Sequence, residues 1–165
     1  IYTLSLHDAL PIFDTTFQKA LLKGLTAAGY QLKHKGGVFI SVRDTDKQES
    51  LKIAERFERL GFDIYATAGT AHLLNKNMIP ASAVRKLNEP SPNLADLFES
   101  GKIDYVISTS KKGRIPALDS VKMRRLSIER AIPCLTALDT ATALLSCIEM
   151  NKTIDDLDLV DITQI

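Results

Sequence analysis

The sequence predicts an α/β fold: a three-layer doubly wound sandwich around a central, mainly parallel five-stranded sheet. Three observations carry that expectation. Short β-branched or aromatic runs alternate with stretches of helical periodicity in the order α-β-α-β-α-β-α-β-α-β-α, which calls for parallel strands covered on both faces. Five apolar stretches run straight into polar clusters of Thr, Ser, Asp or Lys, usually with a helix-like stretch behind them. The 165 residues are 45% hydrophobic and 25% charged, enough to bury a core, with no excess of Pro or Gly to suggest disorder.

Each element has its own local reason. Phe17, Ala20, Leu21 and Leu25 recur at helical spacing, with Asp14 or Thr15 placed as the cap and Gly29 as the stop. A basic connector, Lys33 to Gly37, leads into a strand over Val38–Val42 whose apolar run suits burial on both faces. Leu51, Ala54, Phe57 and Leu60 then mark one face of a helix, the charged residues Lys52, Glu55, Arg56, Glu58 and Arg59 occupy the other, and Gly61 ends it. A second strand follows over Phe62–Ala66, a short helix over Ala71–Asn75, and a weak third strand over Ala83–Leu87. Pro90 and Pro92 keep Asn88–Pro92 out of regular structure, and Asn93 caps a helix over Leu94–Ser100. Ile103–Ile107 is the fourth strand. After a loop over Lys111–Pro116, Asp119 or Ser120 opens a helix carrying Val121, Leu126 and Ile128. Ile132–Leu135 is the fifth strand and Ala141–Met150 the last helix. The acidic tail, with Asp155, Asp156, Asp158 and Asp161 among Ile and Leu, has the alternation of an added edge strand.

Composition excludes several classes. A net charge of +1 gives no general attraction for nucleic acid or an anionic membrane. No apolar run approaches the roughly 20 residues of a membrane span, and the first residues lack the basic region and cleavage pattern of a signal peptide, so a cytoplasmic setting is expected. Cys134 and Cys147 read as buried, reduced thiols. His7, His34 and His72 are scattered without metal-ligand spacing, and neither a Walker A loop nor a GxGxxG after a strand occurs. Residues 1–12 break every periodic pattern and read as a non-native leader, such as translated adapter sequence.

The five clusters hold the functional signal. They are Ser41–Lys47, Thr67–Thr70, Lys86–Asn88, Ser108–Lys112 and Thr136–Thr140. Strand-to-helix turns of a parallel sheet open on one edge, so these hydroxyls, ammonium groups and helix-start N–H groups converge. That chemistry suits a phosphate-bearing ligand. Taken singly, each cluster also has a plain structural reading. Thr67 and Asp139 would serve as helix caps, Gly69 as a turn residue, Lys86 as a snorkelling strand end. Lys47 is harder to dismiss, because a cation at a helix start opposes the macrodipole unless an anion joins it.

The ordered motifs resemble a known family. Val38-Phe-Ile-Ser-Val-Arg-Asp44 with Asp46-Lys47 is similar to the opening strand of the methylglyoxal-synthase-like domain that ends the large subunit of carbamoyl phosphate synthase. Leu60-Gly-Phe-Asp-Ile-Tyr-Ala-Thr-Ala-Gly-Thr70, Val84–Glu89, Gly101–Thr109, Asp119–Arg125 and Ala131–Thr136 continue the match in register, as does Asp139-Thr-Ala141, over roughly residues 13–150. The resemblance implies a regulatory domain, itself non-catalytic, that binds an allosteric nucleotide such as uridine or inosine monophosphate. Lys47, Thr67, Thr70 and Lys86 would hold its phosphate, and Ser41, Ser108, Thr109, Ser110 and Asp119 would line the nucleoside side.

The same resemblance implies residues 13–35 as a helical linker from a preceding synthetase domain and 36–165 as the allosteric domain. It implies upstream synthetase domains and a glutaminase small subunit as partners, with homo-oligomerisation left open. No cofactor is expected in this domain, whereas the parent enzyme would use ATP and Mg or Mn. Some members carry Asn in place of Ser108, and the Lys111-Lys112-Gly113 loop is one residue longer than in some relatives. A methylglyoxal synthase, the alternative reading, should show a Gly-Gly-Asp loop with a carboxylate base. The corresponding stretch here is Glu89-Pro-Ser-Pro-Asn93.

Overall fold

A computed structural model describes residues 13–109 and 118–157, the side chains of Leu118, Asp119 and Ile154 excepted. Among the described residues the chain forms two compact units, one within residues 35–145 and the other of residues 13–34 with 146–157.

In the larger unit five parallel strands form one sheet, in the order β3-β2-β1-β4-β5. The strands are β1 (Gly37–Ser41), β2 (Asp63–Thr67), β3 (Ser82–Val84), β4 (Tyr105–Ser108) and β5 (Cys134–Leu135). The helices between them are α2 (Lys47–Arg59), α3 (Ala68–Lys76), α4 (Leu94–Glu99) and α5 (Leu118–Glu129), and α6 (Leu138–Glu149) follows β5. The expected α/β architecture is thus present, with every strand parallel. Element bounds move by a few residues. The change that touches the site is at α3, which begins at Ala68, inside the cluster read as a turn, so Gly69 and Thr70 are helical. The third strand also ends at Val84 rather than Leu87, because a turn closes over Lys86–Glu89, where the Glu89 N–H donates to the Lys86 carbonyl.

Alternation along the central strands puts Tyr105 and Val106 on opposite faces of the sheet. On one face Phe39 and Val106 pack with Leu94 and Phe98 of α4 and Met123 of α5. On the other, Tyr105 meets Phe57 of α2 and Phe62, with the two phenyl rings 5.1 Å apart edge to face. The buried set of α2, Ser50, Ile53, Ala54 and Phe57, has the spacing that lays one stripe on a sheet. Gly37 is required where β1 begins. Its N–H donates to Asp104 Oδ2 at 3.0 Å, and a Cβ there would run into the Lys102 carbonyl.

In the other unit, helix α1 (Phe17–Ala27) is capped by Thr16, whose hydroxyl accepts from the Lys19 N–H, and not by Asp14 or Thr15. The Asp14 carboxylate is engaged elsewhere, by the buried Lys23 ammonium at 2.8 Å and the Thr15 N–H at 2.7 Å. Asp155 and Asp156 lie in a 3-10 turn, Ile154–Asp156, held by the Thr153 N–H on Asp156, rather than in a strand. Residues 1–12, the Lys111–Pro116 loop, Asp158 and Asp161 lie outside the described residues. No helix among the described residues is long and apolar enough to cross a membrane.

Candidate functional site

A doubly wound sheet has a switch point where successive strands depart in opposite directions, and ligands gather beyond the carboxyl ends of the strands there. In this order the switch lies between β1 and β4. Ser41 and Ser108, the last residues of those strands, are register partners across it. The next residue, Thr109, ties the two strand ends together. Its N–H donates to the Ser41 carbonyl at 3.1 Å, and its hydroxyl accepts from the Arg43 N–H at 3.1 Å.

On the β2 side of the switch, Thr67 ends its strand as the N-cap residue of α3. Its hydroxyl does not cap the helix but donates to Thr70 Oγ1 at 3.2 Å. The first-turn N–H groups of a helix have no acceptor within it and are available to an anion. Gly69 lies in that first turn with helical φ, so its function here is lack of bulk. A Cβ at Gly69 would stand 3.5 Å from the Lys47 ammonium, which therefore lies over the start of α3. Two α-helices, α2 and α3, thus bring Lys47, Thr67, Gly69 and Thr70 together.

The ammonium of Lys47 does not stand alone. Asp44 Oδ1 lies 2.7 Å from it, the two side chains being 78% and 29% exposed respectively. This is the anion whose presence makes a cation tolerable at the first position of α2. One residue earlier, Arg43 Nε donates to Asp46 Oδ2 at 2.7 Å, and Thr45 donates to the other oxygen at 3.0 Å. The Arg43 guanidinium, then hydrogen bonds from Thr109 and Thr45, hold the Asp46 carboxyl below the usual carboxylate range against the opposing effect of burial.

The remaining expected residues are placed less tightly. Thr70 and Ser108 are each 1% exposed, whereas Ser41, Thr67 and Thr109 are half-buried and present the accessible hydroxyls of the edge. Lys86 sits two residues beyond Val84, which is the register partner of Thr67, so it shares the edge, with its side chain exposed. Asp119 is the second residue of α5; its side chain and all of Ser110 lie outside the described residues.

Sequence reasoning passed over a cavity of about 420 Å³ beyond β4 and β5, whose walls include Arg43, Asp46, Glu49, Thr109, Arg124 and Asp139. Three of the five clusters contribute to it, and Arg124 comes from α5, within the Asp119–Arg125 stretch of the family resemblance but outside every cluster. Mixed arginine and carboxylate walls suit a ligand bearing both charges, or a partner surface. His72 is exposed on α3, and Cys134 and Cys147 are free thiols whose pKa values burial pushes up, so neither sulfur is an activated nucleophile. Among the described residues no group of three or more His, Cys, Asp or Glu could hold a metal ion.

Comparison with known proteins agrees with this architecture. The model of the MGS-like domain family matches residues 49–136. The fold is similar to that of methylglyoxal synthase from Elizabethkingia anophelis NUHP1, with a TM-score of 0.55 and 18% identity over 70% of this chain and 80% of that one. The crystal structure of ForH aligns with a TM-score of 0.47 and 20% identity over 71% of this chain and 81% of that one.

Proposed function

The chain belongs to the MGS-like domain family, and from that premise we propose that it is the regulatory, nucleotide-binding domain of a carbamoyl phosphate synthase large chain. The observation that carries this reading is the Lys47 ammonium lying over the start of α3, beside Thr67 and Gly69, at the carboxyl edge of the sheet. An exchangeable cation, a hydroxyl and unsatisfied helix N–H groups are what a phosphate monoester requires. In this reading Lys47, Thr67, Thr70 and Lys86 take the phosphate of a uridine- or inosine-monophosphate-type effector. Ser41, Ser108, Thr109, Ser110 and Asp119 take the nucleoside.

The domain acts by differential binding: an effector shifts the synthetase only as far as its affinity differs between the enzyme's two states. The ATP and divalent metal belong to the synthetase domains, and those domains with the glutaminase subunit are the partners that receive the signal. Carbamoyl phosphate synthesis for arginine or pyrimidine production would be the controlled output. Calorimetric titration of the 165-residue chain with uridine and inosine monophosphates tests the reading. Saturable binding of one of them is expected, and heats no larger than dilution for both would overturn it.

A second reading, a lyase of the methylglyoxal synthase type acting on a triose phosphate, draws on the Asp44 carboxylate beside Lys47. A base must lie within hydrogen-bond reach of the carbon acid. Glu89, the one carboxylate of the Glu89–Asn93 stretch where that enzyme's base would be sought, accepts from the backbone N–H of Lys86 at 2.8 Å. The regulatory reading is therefore preferred, and production of methylglyoxal from dihydroxyacetone phosphate would reverse that preference.

A further inference from the structure

The cavity beyond β4 and β5 carries chemistry that the phosphate site does not use. Its volume of about 420 Å³ is that of pockets enclosing small organic molecules. Thr109, expected on the nucleoside side of the ligand, is one of its walls. Two strand spacings, about 10 Å, separate Thr67 at the end of β2 from Ser108 at the end of β4. A nucleoside monophosphate has that reach, so a ligand whose phosphate meets Lys47 can lay its base in the cavity. We propose that the cavity is a nucleobase pocket selective for guanine, which makes guanosine monophosphate the preferred effector. The proposal rests on the reading of Lys47 as a phosphate ligand.

The walls match the donors and acceptors of that base. Arg43 is anchored twice, by its N–H on the Thr109 hydroxyl and by Nε on the Asp46 carboxylate. With Nε taken, the terminal nitrogens of the guanidinium are the donors left for a ligand in the cavity that Arg43 lines. Such a fork fits the paired O6 and N7 acceptors of guanine. Adenine presents an amino group in place of O6, and uracil has no N7. Glu49 and Asp139, exposed carboxylates on the same walls, only accept when ionised. Guanine meets them with the N1–H and the N2 amino group of its Watson–Crick edge. Hypoxanthine keeps the first of these donors and lacks the second. Ala137 and Leu138 add an apolar stretch of wall for the face of the ring. A further phosphate there would face the two carboxylates and be repelled.

The test is calorimetric titration of the full chain with guanosine, inosine, adenosine and uridine monophosphates and with inorganic phosphate. Guanosine monophosphate should bind about tenfold tighter than inosine monophosphate. Adenosine and uridine monophosphates should bind about tenfold to a hundredfold more weakly than guanosine monophosphate. In E49A/D139A, where both altered side chains are exposed, the preference for guanosine over inosine should vanish while inorganic phosphate binds as before. Equal affinity for guanosine and inosine monophosphates, or a preference that survives in E49A/D139A, would overturn the proposal and leave the phosphate site standing. Failure of phosphate and of every nucleotide to bind, or binding undiminished in K47A, would overturn the reading of the site itself, and the proposal with it.

Discussion

Two ion pairs of identical spacing interleave across residues 43–47, Arg43 with Asp46 and Asp44 with Lys47, each closing at 2.7 Å. Distance does not distinguish them; surroundings do. The Asp46 side chain is 13% exposed and is bonded by Arg43 and Thr45, with Thr109 also donating from the end of β4, so it joins the β1–α2 turn to the neighbouring strand. The Asp44 side chain is 78% exposed and shares an ammonium that lies over the start of another helix. The first pair belongs to the scaffold. The second is placed where a ligand can break it, which is why a short contact alone identifies neither a structural nor a binding role.

Substitutions should separate the two pairs, beginning with the largest effect. Lys47→Ala is expected to weaken binding of inorganic phosphate or a nucleoside monophosphate about tenfold to a hundredfold. Its thermal midpoint should stay within about 2 °C of the unaltered chain. Calorimetry and a melting curve on the same sample check both halves. Asp46→Asn should do the reverse, lowering the melting midpoint by about 2–4 °C through the loosened Arg43 contact while leaving Lys47 its carboxylate partner. A loss of phosphate affinity in Asp46→Asn as large as in Lys47→Ala would erase the distinction.

Acid should also reveal the scaffold pair. Because the folded-state pKa of Asp46 lies below its ordinary value near 3.8, its contribution to stability is complete above that value. The contribution is lost as pH falls from there through the lowered folded-state value. Chemical denaturation at stepped pH should therefore show the stability gap between the unaltered chain and Asp46→Asn closing below about pH 4. A gap that stays constant from pH 7 down to pH 3 would show that the Asp46 charge is not what stabilises the turn.

Gly69→Ala should move stability and binding in opposite senses and sharpens the binding half of the comparison. A methyl group there meets Lys47 Nζ at ordinary contact distance, 3.5 Å, without a clash. Replacing a helical glycine should raise stability by up to about 1 kcal/mol. The same methyl intrudes on the space beside the ammonium, so phosphate affinity should fall severalfold as the melting midpoint rises. Equal affinity in Gly69→Ala would place the ligand away from α3.

The fold was legible in sequence where burial is two-sided and periodicity uninterrupted. Val38 to Ile40 and Tyr105 to Ile107 are buried on both faces, and their apolar runs announced them as central strands. Edges were harder. Ser82–Val84 has little burial and ends where the Lys86–Glu89 turn begins, a tertiary choice that local propensity does not encode. The start of α3 was misplaced because Thr, Ala, Gly and Thr carry turn chemistry as readily as helix-start chemistry. At the site, Lys47 was conspicuous because its charge conflicts with the dipole of its own helix. Asp44, which resolves the conflict, was visible as part of the same cluster but not as the partner. Arg124 was visible only as part of the Asp119–Arg125 stretch and not as a cavity residue, since its nearness to Arg43 and Asp139 around one cavity arises only when α5 and the β5–α6 turn come together.

The account turns on whether the Lys47 ammonium receives a phosphate at the start of α3. Calorimetric titration of uridine monophosphate, inosine monophosphate and inorganic phosphate into the unaltered chain and into Lys47→Ala measures this directly. Saturable binding that collapses on loss of the ammonium is the expected result. No heat from any of the three, or heats indifferent to residue 47, would contradict it.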